Sequence, residues 1–252
     1  RLKQQYFLVS ATLQWILKEY EDRYGYDWHN LPEKAVIHIN DTHPTLAIPE
    51  LMRILIDDKG LGWDEAWDIT TRTFAYTNHT VMSEALEKWS EDLIARRLPR
   101  IHMILKEINQ RFCTDMWNKF PGEWDKIARM SIFSHDQIRM ANLSVIASHK
   151  VNGVSALHSN IIKDSIFKDF NDVWPEKFTN VTNGIAHRRW LCQSNPELCS
   201  LLDDCIGGKY VSDAQVLTEF KKFENDKAVL EQLNKIKQIK KNQFCEYAKK
   251  RQ

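Results

Sequence analysis

Apolar residues recur at helical spacing from the start of the chain. Tyr6, Leu8, Val9, Leu13, Ile16 and Leu17 form one stripe, which predicts an amphipathic helix over residues 1–24. The same period, with little glycine, predicts helices over 46–57, 62–72, 91–118 and 134–148, the last with Ser134 as its N-cap. Four short stretches read as strands: AVIHIN (35–40), TFAYTNH (73–79), GVSALHS (153–159) and KFTNVTN (177–183). They lie far apart with helices between them. That order predicts βαβ units, and so a helix-rich α/β fold around a mostly parallel sheet. A boundary is expected near TNVTNGIAHRRW (179–190), after which everything reads helical. Both ends look cut. Nothing caps the first helix, and EYAKKRQ stops inside a helical pattern, so a longer polypeptide is expected.

Composition narrows the class. The 252 residues are 43% hydrophobic and 27% charged, as in a globular protein rather than a disordered or collagen-like one. Nine tryptophans argue for a large buried core, and eight glycines are too few for a turn-rich all-β protein. No apolar run approaches the ~20 residues that cross a bilayer, and no signal segment opens the chain. The net charge of +1 gives no field to attract nucleic acid or a membrane surface. Residues 221–252 carry a local net charge of +6, with Val229, Leu233, Ile236 and Tyr247 at helix-like spacings, and read as a solvated basic helix. Five cysteines (Cys113, Cys192, Cys199, Cys205 and Cys245), with no C-x-x-C, fit a reducing cytosol and small buried hydrophobes.

The common catalytic signatures are absent: no G-x-S-x-G, G-x-x-x-x-G-K-[ST], G-x-G-x-x-G or H-E-x-x-H occurs. What recurs is a short strand ending in an uncharged polar cluster. AVIHIN runs into Asn40-Asp41-Thr42-His43-Pro44, TFAY into Thr77-Asn78-His79-Thr80, and KFTNV into Thr182-Asn183-Gly184. Ligands of open α/β sheets bind beyond the carboxyl ends of the strands. Amide, hydroxyl and imidazole groups meeting there suit a polyhydroxylated ligand such as a sugar. Taken singly, each cluster is also what a loop requires, through Asx turns or satisfied strand ends. His38, Asp41 and His43 are metal-ligand types, yet no pair sits at i, i+4 on a site helix, so no metal is assigned. Asp41 and Glu87 are the best carboxylate pair for glycoside chemistry, although Glu87 lies in SEALEKW, which reads as an exposed helix face.

At these residues the chain resembles the glycogen, starch and maltodextrin phosphorylases, the α-1,4-glucan phosphorylase family. The matching stretches are RLKQQYF, INDTHPTLAIPELMRIL, FAYTNHTVMSEALEKW, LPRIHMILKEINQRF, HKVNGVSALHS, FKDF and TNGIAHRRWL, spread from end to end. The resemblance implies an internal part of a two-domain glycosyltransferase fold of the GT-B type. Residues 1–182 would form the later part of the N-terminal domain and 183–252 the first helices of the C-terminal cofactor domain. The implied reaction is phosphorolysis of terminal α-1,4-linked glucose to glucose 1-phosphate with retained configuration. The implied cofactor is pyridoxal 5'-phosphate, and its lysine and the phosphate-binding residues would lie beyond residue 252, so this chain alone would be inactive. A cytoplasmic homodimer is implied for the whole enzyme. A non-catalytic glucan-binding module is the alternative.

The resemblance also implies roles. His79 would contact the reacting glucose and Asn183 would hold its 6-hydroxyl. Asp41 and His43 would line the sugar subsites, with Asn78, Thr80 and Val154 as immediate neighbours. Glu87 would border the same pocket and Arg1 would lie behind the active-site loop. Two departures point to a bacterial-type, unregulated enzyme. Lys18-Glu19 stands where animal muscle-type enzymes hold AMP with two arginines. Lys106 and Asp136 replace a tyrosine and a lysine of the surface storage site, although Asn109 and Gln110 remain.

Overall fold

The structure, a computed structural model, describes residues 1–251, which divide into two compact units, the first Arg1–Asn183 and the second beginning at Gly184. The first unit holds strands β1 (Ile37–Asn40), β2 (Phe74–Thr77), β3 (Lys88–Ser90), β4 (Phe133–Ser134), β5 (Gln137–Arg139), β6 (Lys150–Gly153) and β7 (Phe178–Asn180). Its helices are α1 (Leu2–Tyr24), α2 (Leu31–Lys34), α3 (Ala47–Arg53), α4 (Trp63–Thr73), α5 (Glu91–Arg97), α6 (Pro99–Lys119), α7 (Trp124–Met130), α8 (Met140–Ala147), α9 (Ala156–Ile161) and α10 (Lys168–Val173). The second unit is helical, with α11 (Pro196–Ile206) and α12 (Lys227–Lys249) joined by 3-10 turns.

Four strands form a parallel sheet in the order β1-β2-β6-β7. Ile39, Phe74, Tyr76 and Val151 are at most 1% exposed, so the sheet centre is sealed by apolar side chains. Its register aligns Asn40 with Thr77, Thr77 with Asn152, and Asn152 with Thr179. A polar row therefore crosses the sheet where the strands end.

Several expected elements differ. The strand expected at 153–159 ends at Gly153, because Ser155 accepts the His158 amide and caps α9. The helix expected over 134–148 starts only at Met140. Ser134 lies in β4 and its hydroxyl pairs with the neighbouring His135 ring rather than capping a helix. His135 and Asp136 adopt positive φ, turning the chain so that β4 and β5 pair antiparallel and β5 pairs with β3. SEALEKW is not a helix either: a 3-10 turn at Ser83–Ala85 leads into β3. The helix expected over 91–118 breaks at Leu98, held out of the helical region by Pro99.

Helix α1 buries Leu2, Gln5, Val9, Leu13, Leu17 and Tyr20, whereas Leu8 is 62% exposed. It docks through a carboxylate. Glu50, fully buried on α3, accepts Tyr6 Oη at 2.7 Å, Ser10 Oγ at 2.7 Å, and Arg53 Nε and Nη2 at 2.9 and 3.0 Å. Burial, then the bond to Glu50, pushes the Tyr6 phenol up to about 12. The cysteines are less buried than expected: four are half-buried and Cys245 is exposed, all with free thiols.

Lys177 closes the far end of α8. Its Nζ donates to the carbonyls of Val145 and Ile146 at 3.2 and 3.1 Å and lies 4.1 Å from the Trp174 ring centre. Burial pulls its ammonium down from 10.5 to about 8. Between these values the unfolded chain holds the proton that the folded chain has released. Stability therefore rises with pH across that window, and below it the cost of burying the charge is present in full. Urea titrations of the wild type and Lys177→Met test this. The wild-type-minus-variant stability is expected to increase from about pH 8 to about pH 10; a flat difference contradicts it.

In the second unit, Asn195 caps α11 by accepting the Leu198 amide, and Asp226 caps α12 by accepting those of Ala228 and Val229. Leu201, Leu202, Tyr210 and Val229 form its buried apolar set. Along α12, Ile239, Phe244 and Tyr247 are exposed.

Candidate active site

The strand-end loops are tied to one another by short bonds. After β1, the Asp41 amide donates to the Thr77 carbonyl at 3.0 Å. Asp41 has φ 65, and its carboxylate accepts the Thr42 amide at 2.6 Å. That Asx bond within the loop offsets part of the cost of a left-handed conformation. After β2, the Asn78 amide donates to the Asn152 carbonyl at 3.0 Å, and Asn78 Oδ1 accepts the Thr80 amide at 3.1 Å. The second bond is an Asx turn spanning His79, and it fixes the backbone on both sides of that residue. The exposed His79 ring reaches back to β1, where its Nε2 bonds Asn40 Oδ1 at 2.5 Å. After β6 and β7, the Asn183 amide donates to the Val154 carbonyl at 3.0 Å, which leaves the Asn183 side chain at the surface.

Below these loops lies a polar layer, buried at Tyr76, Thr77 and Asn78. Asn78 is fully buried, and its amide nitrogen donates to Tyr76 Oη at 3.2 Å. Burial pushes the Tyr76 phenol well up, and the nearby Asp41 charge adds to the shift. Asn152 on β6 joins β2 to the loop after β7: its amide nitrogen donates to Thr77 Oγ1 at 3.3 Å and its oxygen accepts the Val181 amide at 2.6 Å. Thr77 Oγ1 also meets His38 Nε2.

Asp41, Asn78, His79, Thr80, Val154 and Asn183 thus belong to one bonded network of strand-end loops. His43, Glu87 and Arg1 stand beside it. Arg1 Nε and Gln5 Nε2 donate to Glu87 Oε1 at 3.2 and 3.0 Å, which ties Glu87 to α1. His43 is exposed and lines, with Arg1, Leu13, Ile37, Ile39 and Ala47, a mostly apolar cavity of 520 Å³ between α1 and β1. Asn152 and His158 received no role from the sequence, and Asn40 was read only as part of its strand-end cluster. Their signal was the polar row that the register creates, and His158 was hidden because its segment read as a strand.

The loop stretches 40–44, 78–82, 153–155 and 181–183 contain no Lys or Arg. They offer amides, hydroxyls, imidazoles and one carboxylate. Such a set pairs with hydroxyl groups, and it supplies neither an amine for a Schiff base nor a cation for a phosphate.

The helix-rich α/β architecture, with a mostly parallel sheet and loops gathered at the strand carboxyl ends, is consistent with part of a GT-B type glycosyltransferase fold. The chain belongs to the carbohydrate phosphorylase family, whose model matches residues 1–252. It is 46% identical over 246 residues to the glycogen phosphorylase of Bacillus subtilis, covering 98% of this chain and 31% of that protein. It is 46% identical over 257 residues to the human muscle-form glycogen phosphorylase, covering 98% of this chain and 30% of that one. The cytosolic alpha-glucan phosphorylase 2 of Arabidopsis thaliana is 45% identical over 98% of this chain. These identities do not separate a bacterial type from animal or plant types. The chain spans about 30% of the length of these relatives. Among the described residues no helix is long and apolar enough to cross a membrane.

Proposed function

We propose that this chain supplies the sugar-holding part of an α-1,4-glucan phosphorylase. The enzyme would move a terminal glucose from a glucan or maltodextrin to inorganic phosphate, giving glucose 1-phosphate with retention. The observation that carries the reading is the bonded network joining Asp41, His79 and Asn183, in a chain of the carbohydrate phosphorylase family. In this proposal residues 1–182 belong to the N-terminal domain and 183–252 open the cofactor domain.

With His79 Nε2 committed to Asn40, its Nδ1 is left for a sugar hydroxyl. The Asx turn around His79 would hold its carbonyl dipole in place, and such a dipole near the ring favours the positive charge that grows in an oxocarbenium-like transition state. Asn183 would hold the 6-hydroxyl, so that the ring is bound in a reactive pose. Asp41 and His43 would line the neighbouring sugar positions, and Glu87 with Arg1 would border them. Pyridoxal 5'-phosphate finds no partner in these loops, which lack lysine and arginine. Its lysine and the phosphate-binding cations belong, in this reading, to sequence outside these residues. The whole enzyme is proposed to be a cytoplasmic homodimer of the bacterial, unregulated type.

The test is glucose 1-phosphate release from maltooligosaccharide and phosphate by the full-length enzyme, wild type and His79→Ala. Release by the wild type and its near loss in the variant are expected. Equal rates would remove His79 from the site. No release at all would leave a glucan-binding module, which calorimetry with maltooligosaccharides would then detect.

A further inference from the structure

His158 sits where the loops after β2 and β6 meet, and the reaction proposed above gives it no task. Its place follows from local sequence. Gly153 ends β6, and a Cβ there would lie 2.8 Å from Ser159 Cα and 2.3 Å from Ser159 Oγ. Only glycine lets the first turn of α9 press this closely against the strand end. Ser155 caps that turn by accepting the His158 amide at 3.1 Å. A side chain in the first turn leans back toward the helix N-terminus. The His158 ring is thereby delivered, 9% exposed, to the strand-end loops.

The two ring nitrogens then have fixed duties. Nδ1 accepts the Val154 amide at 3.0 Å, so it carries no hydrogen. Nε2 therefore carries it and donates to Asn78 Oδ1 at 3.1 Å. Each contact reaches a residue that holds one proposed to touch sugar. Asn78 precedes His79 and closes the Asx turn around it. Val154 accepts, through its carbonyl, the amide of Asn183. One imidazole thus links the His79 loop to the Asn183 loop.

We infer that His158, as the Nε2–H tautomer, is a positioning residue that sets the spacing of His79 and Asn183 around the sugar. The inference rests on the reading of the site given above. It assigns a division of labour: Nε2 serves the His79 loop, and Nδ1 serves the Asn183 loop.

Two substitutions separate these duties. His158→Asn keeps an amide oxygen near the Nδ1 position, so it retains Val154 and releases Asn78. His158→Gln reaches Asn78 and releases Val154. The experiment measures kcat, KM for glucan and thermal midpoint in the full-length enzyme. Each variant is expected to lower kcat on the order of tenfold to a hundredfold, because a displacement of about 1 Å costs that much, with KM changed far less. The losses are then expected to couple selectively. His158→Asn adds little in a His79→Ala background, and His158→Gln adds little in an Asn183→Ala background, because there is nothing left to position. A purely structural His158 would lower the thermal midpoint and give losses that multiply in every pair. That result, or unaltered kcat in both single variants, overturns the inference. Wild-type kinetics in His79→Ala and Asn183→Ala would instead locate the failure in the reading of the site, and the inference would fall with it.

Discussion

Asn183→Ala in the full-length enzyme is expected to lower kcat on glucan about a hundredfold, equivalent to about 2.7 kcal/mol of transition-state stabilisation. The residue is suited to this loss because its backbone and side chain do separate work. Its amide is fixed to the Val154 carbonyl at 3.0 Å, and its exposed side chain remains for a ligand. Alanine preserves the backbone bond and removes only the carboxamide. A sugar hydroxyl enclosed by the site would then be left without a partner, a penalty that a water molecule repairs poorly in a closed pocket. Little change in thermal midpoint is expected, since the truncated group is exposed. Unchanged steady-state kinetics with glucan would remove Asn183 from the sugar site.

Glu50→Ala carries the largest expected effect on stability, about 3 kcal/mol or more. The carboxylate is fully buried and every bond it makes comes from a group that needs it: Tyr6, Ser10 and Arg53. Without it a guanidinium and two hydroxyls lose their acceptor, while Arg53 retains only Asp58 at 3.2 Å. The bond to Glu50 is the main reason that the Arg53 guanidinium is raised above its ordinary range. For a unit of this size the thermal midpoint is expected to fall by roughly 6–12 °C. Tyr6→Phe removes one of these bonds and is expected to cost about 1 kcal/mol. Calorimetric unfolding of both variants checks the pair. A Glu50→Ala protein within about 1 kcal/mol of wild type would show that the cluster is not what docks α1.

The candidate site was partly legible before any fold was known. Asn40, Asp41, Asn78, His79 and Asn183 stood out because an apolar run that ends in uncharged polar residues is a local pattern. Glu50 did not stand out: on α3 it reads as an ordinary charged position, and only the approach of α1 buries it. His158 was misplaced because GVSALHS alternates like a strand. Competition from the Ser155 cap, together with the close approach that Gly153 permits, turns that segment into a helix. Residues 134–148 failed in the same way. Their apolar period suits a helix, but β3, some 47 residues earlier in the chain, recruits 137–139 into a ribbon.

Helix α1, strands β1, β2 and β7 and the polar character of their ends were determined by the sequence alone. Each depends on side chains within a turn or two, where backbone geometry and hydrogen-bonding preference suffice. Which loops would share bonds was decided only in the folded chain. The His158–Asn78 contact spans 80 residues and the Asn152–Thr77 contact spans 75. Such pairs exist only once strand order and register bring the ends of β1, β2, β6 and β7 side by side, and no window of the sequence contains both partners.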